Sequence, residues 1–324
     1  METTTTIEKR SLGKTGIMVT PIGLGMMEFS GGGGMAGMVF PVIPQLQKND
    51  IVEAALQGGI NWFDTAEMYG GGVSEQSLAA ALQAAGKSDE DVVVATKWNP
   101  LMRTARNIPH TIQDRLRYLY PYSIGLYMVH QPYSFSTPEF EMKEMAGLVS
   151  AGKIRSVGVS NFNPERMRRA HQALHELGLP LAVNQVRYSL LHRTIEKDGI
   201  LDTAKELGVT IIAYTPLESG MLSGKYHKDP ALLKQRNRWT RMRVSSNLNA
   251  TRPLIDLMDE IAQKYNATIA QVALNWVIHI HGDAIVTIPG ATKVSQAQEA
   301  AGALHFRLTE EEMAKLDEIS KKVH

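Results

Sequence analysis

The sequence predicts an α/β protein of the (β/α)8, or TIM, barrel class. Short apolar runs rich in β-branched residues recur along the chain, and they are near-continuous rather than alternating, as strands of a buried parallel sheet are. Most of these runs are separated by stretches of helical period that end at a glycine. Because strand and helix alternate eight times, the pattern favours a closed barrel.

The predicted elements follow each other regularly from residue 22 onward. The predicted strands are 22–25, 61–64, 91–97, 124–130, 154–160, 181–185, 210–214 and 284–288. The predicted barrel helices are 49–57, 74–85, 112–120, 138–150, 164–177, 200–207, 253–265 and 293–301. Thr137-Pro138 and Asn163-Pro164 each provide a capping residue followed by a proline at the first helical position, which marks two helix starts.

Four segments lie outside the repeat. Residues 10–19 predict a small N-terminal β-hairpin that closes one end of the barrel, and 30–37 form a glycine-rich loop. The connection 218–243 after the seventh strand is much longer than usual, which indicates a functional loop. An extra C-terminal helix begins at Thr309 with a capping box.

The open alternative is a doubly wound parallel sheet, which also alternates strand and helix. That fold usually carries a glycine-rich phosphate loop after its first strand. Here the segment 23–28 reads GLGMME and lacks the last glycine of that motif. The barrel therefore remains the favoured class, as a single domain over 1–324.

Composition limits the function further. The 324 residues are 44% hydrophobic with a formal net charge of +1, which predicts a globular protein without bulk attraction to nucleic acid or a membrane surface. The absence of cysteine excludes disulfides, thiolate zinc sites and thiol catalysis, and we expect no metal site. The polar N-terminus and the lack of 18 consecutive apolar residues predict a cytoplasmic protein.

Polar side chains at the ends of consecutive strands form the candidate active site. Asp64, Lys97 and His130 end the second, third and fourth strands, and Tyr69 lies in the loop after the second. A desolvated lysine needs a counter-ion, and Asp64 is the available one. A tyrosine near that ammonium is expected to have a lowered pKa and to donate a proton to a developing alkoxide.

The same segments resemble signature motifs of the aldo-keto reductases. Residues 59–70 read GINWFDTAEMYG and are followed by Ser74-Glu75. The motifs ATKW at 95–98, MVHQP at 128–132 and GVSNF at 158–162 follow in the family's order. The resemblance extends from Leu12 to the last helix and is closest to the branch that includes bacterial reductases and potassium-channel β subunits.

The resemblance implies the family's chemistry, in which a nicotinamide gives a hydride to the carbon of an aldehyde or ketone. Asp64, Tyr69, Lys97 and His130 would be the catalytic residues, with Tyr69 as proton donor and His130 orienting the carbonyl. Ser160, Asn161 and Gln185 would bind the carboxamide, and Tyr214 would stack on the ring. The expected cofactor-binding residues are Gly25, Met26, Ser160, Asn161, Gln185, Tyr214, Thr215, Pro216, Leu217, Ser219, Gly220, Gly224, Lys225, Gly290, Thr292, Lys293, Gln296 and Glu299.

Lys293 is the candidate for a 2′-phosphate, so we expect NADPH, with NADH possible because Gln296 and Ala300 depart from the commonest family pattern. One arginine of the basic stretch 234–243 is expected to close over the cofactor. Met27, Trp98 and Tyr133 are expected to border a small carbonyl substrate. The oligomeric state stays open.

The sequence leaves two other functions open. One is an NADPH-binding regulatory or sensor subunit with little turnover, as the likeness to channel β subunits implies. The other is a barrel hydrolase that uses Asp64 and Glu67 as its carboxylate pair, for which the spacing gives no support.

Overall fold

Eight parallel strands form one sheet in a computed structural model that describes residues 7–32, 41–235 and 238–323. The strands neighbour each other in chain order. Parallel bridges from Ile22 to Thr287 and from Gly25 to Gly290 join the last strand to the first. The sheet is therefore closed, and the (β/α)8 barrel prediction is confirmed.

The elements are numbered here in chain order. The strands are β1 (Arg10–Ser11), β2 (Met18–Val19), β3 (Leu24–Gly25), β4 (Trp62–Asp64), β5 (Val93–Trp98), β6 (Ile124–Val129), β7 (Val157–Ser160), β8 (Leu181–Arg187), β9 (Thr210–Tyr214) and β10 (Ile285–Ile288). The helices are α1 (Gln45–Gln57), α2 (Val73–Ala84), α3 (Ile108–Leu119), α4 (Pro138–Ser150), α5 (Pro164–His175), α6 (Ile200–Leu207), α7 (Lys225–Lys228), α8 (Arg238–Lys264), α9 (Ile269–His279), α10 (Val294–Gly302) and α11 (Glu310–Lys321).

The N-terminal hairpin closes the end of the barrel at which the strands begin. Arg10 pairs with Val19 in an antiparallel ladder, as predicted. Leu12, Ile17 and Val19 are buried in one cluster with side chains from inside the barrel, Trp62 among them. Because this end is filled, the site lies at the opposite, carboxyl ends of the strands.

Side-chain caps fix several of the surrounding helices. Thr137 accepts a hydrogen bond from the backbone N–H of Phe140, and Asn163 accepts one from that of Arg166. The predicted capping box of the last helix is present between Thr309 and Glu312. These contacts satisfy N–H groups that lack partners within the helix.

The long connection after β9 is largely helical, which corrects the prediction of a loop over 218–243. Helix α8 begins at Arg238 and runs through Pro253, which the sequence interpretation placed at a helix start. Proline is typical of the first turn of a helix, where a backbone N–H would have no partner within the helix, so the sequence pattern favours a start at Pro253. The sequence does not predict helix α9, because all of its residues 269–278 except Gln271 are buried and leave no amphipathic stripe.

Parts of two predictions lie outside the described residues. These are 33–37 of the glycine-rich loop and, in the basic stretch, residues 236–237 with the side chains of 235, 238–240 and 243.

Candidate active site

Asp64, Lys97 and Tyr69 meet at the carboxyl ends of β4 and β5. Lys97 Nζ lies 2.5 Å from Asp64 Oδ1, 2.9 Å from the carbonyl oxygen of Thr65 and 3.4 Å from the hydroxyl oxygen of Tyr69. The same ammonium lies 4.9 Å from the centre of the Tyr69 ring. Lys97 thus directly contacts both of the side chains predicted to act with it.

The Asp64–Lys97 pair is fully buried. Burial raises the pKa of the Asp64 carboxyl, and this rise is opposed by the Lys97 ammonium and by the Gln185 amide, which donates to Asp64 Oδ2 over 2.9 Å. Burial lowers the pKa of Lys97, but Asp64 and Tyr69 together outweigh this effect, so the pKa is raised. Lys97 therefore stays cationic inside the barrel mouth.

The predicted lowering of the Tyr69 pKa is wrong. Burial raises the pKa of the phenol above its ordinary value, and the attraction of the Lys97 ammonium only partly offsets that rise. The negative charge of Asp64 also disfavours the phenolate. The sequence predicted that Lys97 lies next to Tyr69, but it did not predict how far both side chains are removed from water. Tyr69 is thus protonated at neutral pH, the state that a proton donor requires.

His130 follows β6 and faces Tyr69. The two rings are edge to face, with centroids 5.7 Å apart. Burial, together with the Lys97 charge, lowers the pKa of His130 well below its ordinary value, so the imidazole is neutral. Its Nδ1 is buried without a hydrogen-bond partner among the described residues. A neutral imidazole here has unused capacity for a polar group of a bound molecule.

Glu67 fixes the turn that carries Tyr69. Its Oε2 accepts the backbone N–H of Asn99 over 2.9 Å, and its Oε1 accepts from Arg103 Nη1 over 2.6 Å. Sequence interpretation considered Glu67 only as the second carboxylate of a hydrolase. Because Glu67 is paired with Arg103 and Asp64 with Lys97, the geometry favours a positioning role instead.

A second buried carboxylate, Glu75, lies behind this turn. It accepts from the Thr96 hydroxyl over 2.7 Å and lies 2.8 Å from Arg115 Nε. Burial raises the pKa of Glu75 to about 7, although Arg115 opposes this. Sequence identified Glu75 only as part of a motif, since the arginine that contacts it lies forty residues away.

The predicted carboxamide-binding residues line the next strand ends. The Ser160 hydroxyl donates to the backbone oxygen of Gln185 over 2.9 Å. Asn161 has a left-handed backbone with φ 59°, which turns its amide to Gln131 and to Ser160. The half-exposed Tyr214 donates to Asn161 Oδ1 over 3.1 Å. These contacts set a flat aromatic ring beside an amide at the barrel mouth.

The turn after β9 contains several predicted cofactor residues in unusual backbone conformations. Thr215, Ser219, Gly220 and Gly224 have positive φ values. A Cβ on Gly220 would lie 2.5 Å from Lys225 Nζ, so the lysine crosses directly over the glycine. The remaining residues of this set, Pro216 and Leu217, precede a 3-10 helix over Glu218–Ser223.

The start of α10 lies on the other side of the mouth. Gln296 Oε1 accepts from the backbone N–H groups of Thr292 and Lys293 over 2.8 and 3.2 Å, so it caps the helix. Gly290 is bridged to Gly25, and its Cα is covered by the carboxylate of Glu28. Met26 is buried below, and Glu299 lies one turn further along the helix.

An ion pair that sequence interpretation missed lies between β8 and the turn after β9. Arg187 Nε donates to Glu218 Oε1 over 3.1 Å, and Arg187 Nη2 donates to Oε2 of the same carboxylate. The Ser189 hydroxyl also donates to Oε1, over 3.0 Å. A signal was available in the sequence: Arg187 lies two residues beyond the predicted strand 181–185, and the observed strand extends to it.

The three predicted substrate residues differ in accessibility. Tyr133 is 63% exposed and Met27 is 41% exposed. Trp98 is fully buried, and its indole N–H donates to Asn107 Oδ1 over 3.1 Å. In this structure, therefore, Met27 and Tyr133 reach solvent and Trp98 packs beneath the surface.

Within the described ranges, no group of three His, Asp or Glu side chains is arranged to hold a metal ion. Among the helices of those ranges, none has both the length and the apolar character needed to cross a bilayer.

Fold and site together define a TIM-barrel protein with a buried aspartate–lysine–tyrosine cluster and a neutral histidine at its catalytic face. A profile described as the aldo/keto reductase family matches residues 21–321. The chain therefore belongs to the aldo/keto reductase family of oxidoreductases.

Curated relatives align over most of their length. The chloroplastic pyridoxal reductase of Arabidopsis thaliana is 34% identical over 319 residues, which cover 94% of this chain and 84% of that protein. The aldo-keto reductase str7 of Strobilurus tenacellus is 31% identical over 322 residues, covering 97% and 92%.

Solved structures agree with the fold. The thermostable aldo-keto reductase Tm1743, solved with the inhibitor epalrestat, has a TM-score of 0.75 at 27% identity, covering 96% of this chain and 99% of that one. An aldo-keto reductase from Klebsiella pneumoniae, solved with NADPH, has a TM-score of 0.73 at 25% identity, covering 96% and 95%.

Proposed function

We propose that this protein reduces aldehydes or ketones to alcohols with NADPH and that Tyr69 is the proton donor. The observation that carries the proposal is the contact between the Tyr69 hydroxyl and Lys97 Nζ at 3.4 Å, with Lys97 held by Asp64 at 2.5 Å. The complex of the Klebsiella pneumoniae reductase with NADPH supports the choice of cofactor.

The residues present fit a nicotinamide dinucleotide. The half-exposed ring of Tyr214 offers a flat apolar face, and Asn161 beside it offers an amide. The buried Nδ1 of His130 has no partner among the described residues, so a polar atom of the bound reactants is expected there. Lys225 and the N-terminal turn of α10 supply positive charge suited to phosphates.

In the proposed reaction, a bound reduced nicotinamide supplies a hydride to the carbonyl carbon. Neutral His130 donates a hydrogen bond to the carbonyl oxygen and orients it toward Tyr69. Tyr69 then gives its proton to that oxygen, and Lys97 stabilises the resulting phenolate. Asp64 keeps Lys97 charged and fixes its position, and solvent finally returns the proton to Tyr69.

We further propose that Lys293 binds the 2′-phosphate that distinguishes NADPH from NADH. Lys293 is exposed at the start of α10, where an ammonium and the helix dipole both attract an anion. Gln296 already accepts the nearby N–H groups of Thr292 and Lys293. It therefore supports the shape of this turn, and the phosphate contact is assigned to Lys293.

The test compares wild type with Tyr69→Phe in the reduction of a nitrobenzaldehyde, followed by NADPH absorbance. Loss of one general acid is expected to lower kcat by about 10²–10⁴-fold, while NADPH affinity stays near the wild-type value. Equal rates in the two proteins would overturn the role of Tyr69. Tight NADPH binding by the wild type without turnover across a carbonyl panel would instead support the regulatory alternative.

A further inference from the structure

The turn that follows β9 holds an unusual concentration of backbone strain. Of the six non-glycine residues with positive φ in the described ranges, three fall here: Thr215 at 56°, Glu218 at 48° and Ser219 at 57°. L residues adopt this left-handed region only at an energetic cost, so the conformation persists only where surrounding contacts impose it. The turn must therefore be held from outside its own backbone.

The Arg187–Glu218 ion pair provides that hold. Two guanidinium nitrogens of Arg187 donate to the two carboxylate oxygens of Glu218, and the Ser189 hydroxyl adds a third donor. The Glu218 side chain is 6% exposed and that of Arg187 is 30% exposed. A two-point arginine–carboxylate contact fixes both distance and orientation. Glu218 is one of the strained residues itself, so the contact acts directly on the turn.

The same pair lies next to the proposed nicotinamide platform. Arg187 is paired in register with Tyr214 across β8 and β9, and the strained turn begins at the residue after Tyr214. The Tyr214 ring is tied on its other side by the bond from its hydroxyl to Asn161. A change at Glu218 is therefore transmitted to the ring through the three intervening residues, 215–217.

We propose that Arg187 and Glu218 form a clasp that holds the turn 215–220 against β8 and thereby limits how fast the dinucleotide leaves the site. This inference rests on the proposed NADPH-dependent function. Both residues are positioning residues, because they act through the turn and through Tyr214. Opening of such loops commonly limits product release in enzymes, so the clasp has a direct route to the turnover rate.

The main experiment measures NADPH release by stopped-flow fluorescence, with excess NADP⁺ as the displacing ligand. Glu218→Gln keeps the shape of the side chain and removes its charge. We expect release to become about tenfold faster, since loss of the charge-assisted hydrogen bonds lets the turn open more readily. The single-turnover rate of hydride transfer should stay near wild type, because Tyr69, Lys97 and His130 are untouched.

A matched control is available on the barrel surface. Arg168 makes the same two-point contact with Glu206, at 2.6 and 2.7 Å, but these side chains are 46% and 60% exposed and join α5 to α6. Glu206→Gln should leave NADPH release unchanged. The reversed pair R187E/E218R should recover part of the slow release, whereas R187E alone should not.

A second readout needs no cofactor. Hydrogen–deuterium exchange of the peptide covering 215–224 should be faster in unliganded Glu218→Gln than in wild type, and it should be unaffected in Glu206→Gln. Ser189→Ala, a milder change, should give a smaller effect of the same sign even if Glu218→Gln folds poorly. Wild-type exchange and wild-type NADPH release in Glu218→Gln would overturn the clasp. Failure of wild type to bind NADPH in a fluorescence titration would overturn the proposed function, and the exchange measurement, which needs no cofactor, would still test the clasp.

Discussion

Replacing Lys97 with methionine isolates the energetic consequence of the buried pair. The Lys97 side chain is 0% exposed and that of Asp64 is 1% exposed. The variant therefore leaves the Asp64 carboxylate in the barrel interior without its counter-ion. Removing one partner of such a pair costs about 3–5 kcal/mol of unfolding free energy. The Thr65 carbonyl loses its donor as well, so a value toward the upper end is expected.

The pH dependence gives this prediction a sign. Without the ammonium, burial raises the folded-state pKa of Asp64 far above its unfolded value of about 3.9. A raised pKa gives stability that is present at low pH and is lost as pH rises, by up to about 1.4 kcal/mol per pH unit. Lys97→Met should therefore be least destabilised near pH 5 and most destabilised near pH 8.

Asp64→Asn provides the opposite case. It leaves the Lys97 ammonium buried alone, and burial then lowers the folded-state pKa below its unfolded value of about 10.4. A lysine with a depressed pKa loses stability as pH falls, so this variant should be most destabilised at low pH. The double variant D64N/K97M has no buried charge at this position and should recover about 2 kcal/mol or more relative to Lys97→Met.

Urea unfolding at several pH values, followed by circular dichroism, measures all three proteins. If the free energy of unfolding of Lys97→Met lies within about 1 kcal/mol of the wild-type value, the pair is solvated and its assignment as a buried ion pair is refuted. Parallel pH profiles for the two single variants would refute the reasoning equally, because the two isolated charges must respond in opposite directions.

Two further predictions concern other charges. Burial raises the pKa of Glu75 to about 7, so the unfolding free energy of wild type should fall between pH 5 and pH 7. Glu75→Gln should remove about 2–3 kcal/mol of this decrease. If urea titrations of the variant show the same dependence of unfolding free energy on pH as wild type, the raised pKa is contradicted. Lys293→Ala should weaken NADPH binding about tenfold and leave NADH binding unchanged; equal weakening in fluorescence titrations of both cofactors would exclude a contact with the 2′-phosphate.

The sequence predicted the barrel and the central cluster because both depend on local patterns. Asp64, Lys97 and His130 each follow a run of apolar residues, and a parallel barrel brings such strand ends to one face. The start of helix α8 was predicted at Pro253 for an equally local reason. Proline is typical of the first turn of a helix, and the polar residues that precede it give no sign in the sequence that they belong to the same helix. Correct placement of the strand ends was sufficient to bring Asp64, Lys97 and His130 to one face of the barrel.

Contacts between distant residues were beyond that reasoning. Glu218 is thirty-one residues from Arg187, and only closure of β9 against β8 brings them together. Likewise, Arg115 reaches Glu75 only because α2 packs against α3, and the hydrophobic periodicity of the two helices does not predict which of their residues meet. The contacts that the sequence does not predict are therefore mostly ion pairs that support the candidate catalytic residues and the turn after β9.

The raised pKa of Tyr69 changes the role that Lys97 has in the proposed reaction. If the ammonium merely lowered the pKa of the phenol, part of the resting enzyme would already be phenolate and unable to donate. Burial and the charge of Asp64 keep the hydroxyl protonated instead. Lys97 then has its main effect after the proton has left, because the phenolate forms 3.4 Å from its ammonium. In the proposed reaction Lys97 therefore lowers the barrier relative to the same site without the ammonium, because it offsets part of the cost of forming a buried phenolate.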